Sequence, residues 1–127
     1  MIDPLLDLFN HLAPEQSQED INSSWEQFQV ICSNKSIIPQ CIEIYFNSPL
    51  PFHKYYSLYG IKSCLSQSFI HFNQEELFML SETIVKMFLD EKDFFFNFLL
   101  SEIICYLIDR THESWPQLDH LIFQCNP

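Results

Sequence analysis

A single glycine, Gly60, occurs in the whole chain of 127 residues. Tight β-hairpins, glycine-rich phosphate loops and dinucleotide-binding turns need residues at positive φ or a close backbone approach, and glycine supplies both. An α-helical chain can form without either feature. The scarcity of glycine therefore favours an all-α fold and disfavours folds built around a glycine-rich loop.

Apolar residues recur at three- and four-residue steps along most of the chain, the spacing that lines up one face of an α-helix. Near the C-terminal end, for example, Phe96, Leu99, Ile103 and Leu107 follow this spacing. The pattern predicts seven helices, at residues 2–12, 14–32, 36–47, 51–69, 73–90, 94–110 and 115–124. A chain of this length can bury a substantial core, and we expect one domain over residues 1–127.

The predicted loops are short, so that sequential helices must pack antiparallel. Three such hairpins, at 2–32, 36–69 and 73–110, would be followed by the first helix of a fourth, 115–124. Hairpins of about 35 to 40 residues are typical of helical solenoids, in which each unit buries its apolar face by stacking on the next. A compact bundle of the same helices is the alternative.

Local signals refine the predicted boundaries. Pro14 is predicted to begin the second helix and Ser36 to cap the third, while Asn73 with Glu76 three residues later reads as a capping box. Glycine inside a helix costs about 1 kcal/mol relative to alanine. We therefore expect a neighbouring helix to press against Gly60.

The charge balance constrains the partners. The chain has 17 acidic and 6 basic residues, a formal net charge of −11. Nucleic acids and anionic membrane surfaces are bound by clustered Lys and Arg, so both are disfavoured and membrane insertion is not expected. A basic protein partner is favoured through electrostatic steering, although the acidity would also serve solubility alone.

The cysteine pattern contains no CxxC pair, and all five cysteines fall on or near apolar helix faces: Cys32, Cys41, Cys64, Cys105 and Cys125. The odd count and the lack of a signal peptide predict free, buried thiols in a reducing compartment. His112, His120 and Cys125 do not match a zinc-site spacing, so no metal and no cofactor are predicted. No apolar run approaches the ~20 residues that cross a bilayer.

Motifs for catalysis are missing. The sequence has no nucleophile elbow, no HExxH pair and no phosphate loop, and capping accounts for the carboxylates Glu75 and Glu76. We therefore predict a binding protein and not an enzyme. Trp25, Trp115 and Tyr55 are candidate hot spots, although aromatic residues at core spacing more often belong to the core itself.

Three motifs follow one another along the chain: residues 24–29 read SWEQFQ, residues 58–65 read LYGIKSCL and residues 113–118 read ESWPQL. In this order they resemble the N-terminal domain of importin-β-type nuclear transport receptors, the karyopherins. The first is similar to the family's first-repeat pattern, with Trp25 in place of Leu. The second resembles the family's Leu/Ile-Lys-Asn helix, with Ser63 in place of Asn, and the third resembles the Trp-Pro-x-Leu that opens the fourth repeat.

The resemblance implies a stack of HEAT repeats that binds the GTP form of the small GTPase Ran through the second helix of each repeat, in a protein that shuttles between nucleus and cytoplasm. The polar positions of those helices are the candidate contacts: Glu19, Glu26, Lys62, Ser66, Asn97, Ser101, Glu102 and Asp109. Full receptors of this family are several times longer, so we expect an N-terminal fragment or a truncated relative. Cargo proteins and nucleoporins would then bind further repeats beyond this chain.

A helical-repeat adaptor without Ran binding is the alternative function. In that reading the last predicted helix offers an exposed apolar stripe, Leu118, Leu121 and Ile122, as its interface. A partner would cover this stripe, because leaving such aliphatic residues in water costs roughly 1.5–3 kcal/mol each.

Overall fold

The protein is all-helical in the computed structural model, which describes residues 3–68 and 71–111. These residues form six helices and no strand: α1 (Asp3–Asn10), α2 (Gln18–Ile31), α3 (Ile37–Asn47), α4 (Pro51–Ser68), α5 (Gln74–Asp90) and α6 (Phe94–Thr111). The predicted all-α class and the order of the first six helices are confirmed. The predicted helix 115–124 lies outside the described residues.

The start of α2 differs from the prediction. Pro14 does not begin this helix, which starts instead at Gln18. The reason is that Ser17, in extended conformation, accepts a hydrogen bond from the backbone N–H of Asp20 at 3.1 Å. A serine cap accepts a hydrogen bond from a free N–H at the helix start, whereas a proline in the first turn is compatible with a helix but supplies no such bond.

Two of the other helix starts test the predicted caps. The capping box is confirmed, because Asn73 accepts from the N–H of Glu76 at 2.8 Å while the Glu76 carboxylate accepts from the N–H of Asn73 at 2.9 Å. Ser36 was predicted to cap α3, but its side chain makes no cap hydrogen bond. At α6 the cap is Asp93, whose carboxylate accepts from the N–H of Phe95 at 2.9 Å.

The chain forms two compact units, the first reaching Phe72 with α1 to α4 and the second beginning at Asn73 with α5 and α6. The buried apolar residues of the first unit come from all four helices and from the turn after α1. They are Leu5, Leu8, Phe9, Leu12, Ala13, Phe28, Cys32, Ile37, Ile38, Cys41, Ile44, Tyr45, Leu58, Ile61, Cys64 and Leu65. None of the described helices is long and apolar enough to cross a membrane.

Contacts within the first unit fix the direction of its helices. The α3–α4 hairpin is antiparallel, since the Lys54 ammonium lies over the Tyr45 ring next to the connection and Gly60 meets Cys41 one to two turns further on. In contrast, α2 and α4 run in the same direction. Trp25 contacts Tyr59, and the carbonyl of Gln29, one turn later, accepts a hydrogen bond from Gln67 near the end of α4.

The second unit is an antiparallel hairpin of α5 and α6. Its turn is fastened by the side chain of Asn97, which donates to the carbonyl of Phe88 at 2.8 Å. Both helices contribute buried apolar residues at the spacing that places them on one face of each helix. They are Leu80, Ile84, Val85, Met87, Phe96, Leu100, Ile103, Ile104 and Leu107.

Candidate protein-binding surface

Aromatic rings join α1, α2 and α4 at the centre of the first unit. Phe28 is fully buried and packs edge-to-face against Phe9, with ring centroids 5.4 Å apart, and against Tyr56 at 6.2 Å. Trp25 lies beside the Tyr59 ring at 5.0 Å and is half-buried. The candidate hot spot Trp25 therefore serves mainly as part of the core, with one side left open.

Gly60 lies where α4 meets two other helices. A methyl group at this position would come within 3.0 Å of the Cys41 sulfur and 3.3 Å of the Phe28 ring. The expectation that a neighbouring helix presses against Gly60 is confirmed, and the neighbours are α2 and α3. This contact packs α4 closely against α2 and α3.

The buried face of α4 includes polar residues. His53 and Ser57 are both buried, on the same helix as the buried Leu58, Ile61, Cys64 and Leu65. Tyr55, a candidate hot spot at core spacing, is 36% exposed and so does not belong to the core.

His53 links three segments through a hydrogen-bonded chain. Its Nε2–H donates to the side-chain oxygen of Asn10 at 2.7 Å, and its Nδ1 accepts from the hydroxyl of Ser48 at 2.6 Å. Burial lowers the pKa of His53, which keeps the ring neutral in this arrangement. The sequence analysis did not single out His53, since a histidine next to a proline-rich linker carries no spacing signal.

The thiols divide into two classes. Cys32, Cys41 and Cys64 are buried, as predicted, and burial raises the pKa of Cys64 to about 11 and that of Cys41 well above its ordinary value. Cys105 is exposed, so the prediction that it is buried is wrong. The physical reason is its place on the polar side of α6, four residues after Ser101 and four before Asp109.

The candidate Ran contacts of the first unit are all accessible. Glu19 and Glu26 on α2, and Lys62 and Ser66 on α4, are exposed. Since α2 and α4 are adjacent and run in the same direction, each helix contributes a row of polar side chains along the same axis. Two neighbouring helices therefore carry exposed polar and charged side chains.

On α6 of the second unit, two candidates are engaged in local hydrogen bonds. Asn97 donates to the Phe88 carbonyl, and the Ser101 hydroxyl donates to the carbonyl of Phe98 at 2.6 Å. Glu102 is half-buried and Asp109 is exposed. The end-helix candidates Leu118, Leu121 and Ile122, the tryptophan Trp115 and the residues His112, His120 and Cys125 lie outside the described residues.

Aromatic side chains also stand in water at the start of α6. Phe94 is 87% exposed, Phe95 53% and Phe98 47%. Phe94 and Phe98 are four residues apart and Phe95 and Phe98 three, so the three rings share one side of the helix. Rings exposed together in this way are typical of protein-interaction surfaces.

A polar pocket lies between α1 and α2, with a volume of about 240 Å³. Its walls are Pro4, Asp7, Leu8 and His11 from α1 and the turn after it, and Asp20, Ser23, Ser24 and Gln27 from α2. His11 stands between two carboxylates, 3.1 Å from Asp20 and 3.8 Å from Asp7. The hydrogen bond and charge of Asp20 raise the pKa of His11. The sequence analysis missed this site, because its two halves come together only when the helices pack.

No group of three or more His, Cys, Asp or Glu side chains that could hold a metal ion is present among residues 3–68 and 71–111. Comparison with known proteins gave no match to a family model, to a curated protein or to a solved structure.

Proposed function

We propose that this chain is the N-terminal portion of a nuclear transport receptor, built as a HEAT-repeat α-solenoid, which binds the GTP form of Ran. The observation that carries the proposal is the packing of α2 on α4 in the same direction, with α3 antiparallel to α4. This is the relation between the second helices of successive hairpins in a solenoid. The second and fourth helices of an up-and-down bundle also run in the same direction, so the solenoid is proposed together with the function.

The exposed charges on these two helices support a protein partner. Glu19 and Glu26 lie on α2, Lys62 lies on α4, and all three are exposed. The net charge of −11 favours a partner with a basic face, mainly through the association rate. Motifs 24–29 and 58–65, which carry the resemblance to the karyopherins, fall on these same helices.

Binding of the purified chain to Ran loaded with GTP or with GDP tests the proposal. We expect capture of the GTP form only, weakened by Glu26→Lys. The matched control is Glu43→Lys, which makes the same charge change at an exposed position on α3. Equal capture of both nucleotide forms, or no capture by a chain whose circular dichroism shows folded helix, would reject Ran binding.

A helical-repeat adaptor without Ran binding is the second candidate, and the exposed rings of Phe94, Phe95 and Phe98 favour it. In this case the partner would cover α6 and not α2. Phe94→Ser together with Phe98→Ser would then abolish partner capture from an extract, whereas Glu26→Lys would leave it intact. The opposite pattern would reject the adaptor.

A further inference from the structure

The exposed side of α6 combines aromatic rings with carboxylates. Phe94 and Phe98 lie one turn apart, and Phe94 is 87% exposed. Glu102 and Asp109 lie further along the same side, because each is close to a whole number of turns away from Phe94. Asp109 is exposed and Glu102 is half-buried. The buried residues of α6 occupy the other side of the helix.

This exposed side is divided along its length. The rings of Phe94, Phe95 and Phe98 occupy its first turn and a half, and the carboxylates of Glu102 and Asp109 occupy the remainder. Phe94 and Asp109 are separated by about 22 Å along the axis, at 1.5 Å per residue. A partner that covers the whole side therefore meets an apolar end first and an anionic end about two turns later.

The surrounding charge has the same sign as the anionic end. Residues 90–109 contain five acidic residues and one basic residue, Lys92. Asp90, the last residue of α5, is exposed, and Asp93 caps α6 directly before the rings. The electrostatic potential along this side of α6 therefore favours a partner with positive charge.

The charges disfavour two other occupants of the aromatic end. A second copy of the chain would bring like carboxylates together if the two α6 helices were parallel, and would place rings on carboxylates if they were antiparallel. An anionic membrane surface would be repelled by the acidic residues. A polypeptide with both apolar and basic side chains is complementary to the two ends of this side at once.

We propose that the exposed side of α6 binds an amphipathic helix of a partner protein, with large aliphatic residues at one end and Lys or Arg at the other. Such a helix needs about 15 residues to span the side. Its aliphatic residues would cover Phe94 and Phe98, and its cations would reach Glu102 and Asp109. This inference rests on the adaptor function described above, in which a partner covers α6, and it specifies the chemistry of that partner.

The test is fluorescence anisotropy of a labelled 16-residue synthetic helix titrated with the full chain. On one face this peptide carries leucines in its first two turns and lysines in its last two. One matched peptide has glutamine in place of each lysine, and another has the same composition with the residues shuffled around the helix. We expect the first peptide to bind about tenfold more tightly than either control. Equal binding by either control would overturn the proposal.

Variants separate this side of α6 from the general negative charge of the chain. Phe94→Ser together with Phe98→Ser should weaken peptide binding about tenfold, and Asp109→Asn about threefold. The matched controls lie on α5: Phe78→Ser, at 48% exposure against 47% for Phe98, and Glu82→Gln at an exposed position. Both controls should change affinity less than twofold. Equal weakening by the α5 variants would overturn the proposal in favour of unspecific attraction.

Extract capture distinguishes failure of this inference from failure of the adaptor function. Capture that depends on Phe94 and Phe98, without binding of the leucine–lysine peptide, would overturn the cationic partner and leave the adaptor standing. Absence of both would reject both. Sedimentation of the chain alone should show a monomer. A dimer that Phe94→Ser with Phe98→Ser dissociates, or binding to anionic phospholipid vesicles that these changes abolish, would overturn the proposal in favour of that occupant.

Discussion

The two units of this molecule treat the same residue type in opposite ways. In the first, Phe9 and Phe28 are completely buried and pack against Trp25, Tyr56 and other rings on three helices. In the second, three of the phenylalanines that open α6 stand in water, with Phe94 87% exposed. Residue type alone therefore does not determine which of the 13 phenylalanines are buried.

Buried and exposed rings contribute differently to stability and to recognition. Rings that meet rings from other helices remove apolar surface from water and add edge-to-face contacts worth about 0.5–1.5 kcal/mol per pair. Rings that leave the helix on the solvent side contribute little to folding, yet they offer area to a partner. We expect the first unit to depend on its aromatic centre and the second to tolerate changes in its exposed rings.

The largest expected effect is the loss of the aromatic centre. Phe28→Ala should lower the free energy of unfolding by about 3–5 kcal/mol, because a large cavity would open between four other rings. Phe95→Ala, at a half-exposed position, should cost less than about 1 kcal/mol. Urea unfolding of the first unit can be followed by Trp25 fluorescence in a Trp115→Phe background, and loss of helix in both units by far-UV circular dichroism. Similar costs for the two variants would break the comparison between the units.

The polar link through His53 should give the next largest effect. His53→Ala removes two hydrogen bonds and leaves a small cavity, at a cost of about 2–4 kcal/mol near pH 7. The pKa of His53 is lowered by burial, so below its unfolded value near 6.5 the unfolded chain binds more protons and native stability falls. The cost of His53→Ala should therefore shrink between pH 7 and pH 5.

His11 is the internal control for this pH dependence, because its pKa is raised by Asp20. Its contribution is present below about 6.5 and is lost as the pH rises through the raised value. The cost of His11→Ala should grow toward pH 5, opposite in sign to that of His53→Ala. Parallel slopes in denaturant titrations of the two variants would show that one of these assignments is wrong.

A smaller effect is expected at the close approach of α4 to its neighbours. Gly60→Ala gains about 1 kcal/mol of helix propensity but forces a methyl group against Cys41 and Phe28, so a net loss of about 1–2 kcal/mol is expected. Cys41→Ala removes the sulfur that lies 3.0 Å from that methyl position. A double-mutant cycle should give a favourable coupling between the two changes, and strict additivity would contradict the contact.

The smallest effect on stability, and the clearest on reactivity, concerns the thiols. In a Cys125→Ser background, Cys105 should react rapidly with a disulfide reagent at pH 8. Cys32, Cys41 and Cys64 should react only after urea is added, since burial hides them and raises the pKa of each. Cys105→Ser should abolish the fast phase and change stability by less than about 0.5 kcal/mol. Fast labelling of a second thiol would indicate that the first unit opens readily.

Much of the fold could be predicted because helix formation is local. The three-and-four spacing located α3 to α6 closely, and the Asn73–Glu76 pair marked the start of α5, since both signals act within one or two turns. The start of α2 was wrong because Pro14 and Ser17 both satisfy rules for helix starts, and only hydrogen-bond geometry decides between them. The candidate contacts on α2 and α4 were chosen as polar positions, and they are exposed. On α6, the side chains of Asn97 and Ser101 donate hydrogen bonds to backbone carbonyls.

Local sequence signals are enough to predict that this protein is helical, where most helices lie, and that Gly60 needs a close neighbour, because propensity, capping and periodicity depend on adjacent residues. The packing of the helices determines which aromatic rings are buried, that His53 joins Asn10 to Ser48, and that His11 meets Asp20 across two helices. These depend on which faces meet after packing. Whether a given side chain is buried depends on which helix packs against it, and the local sequence pattern does not encode that contact.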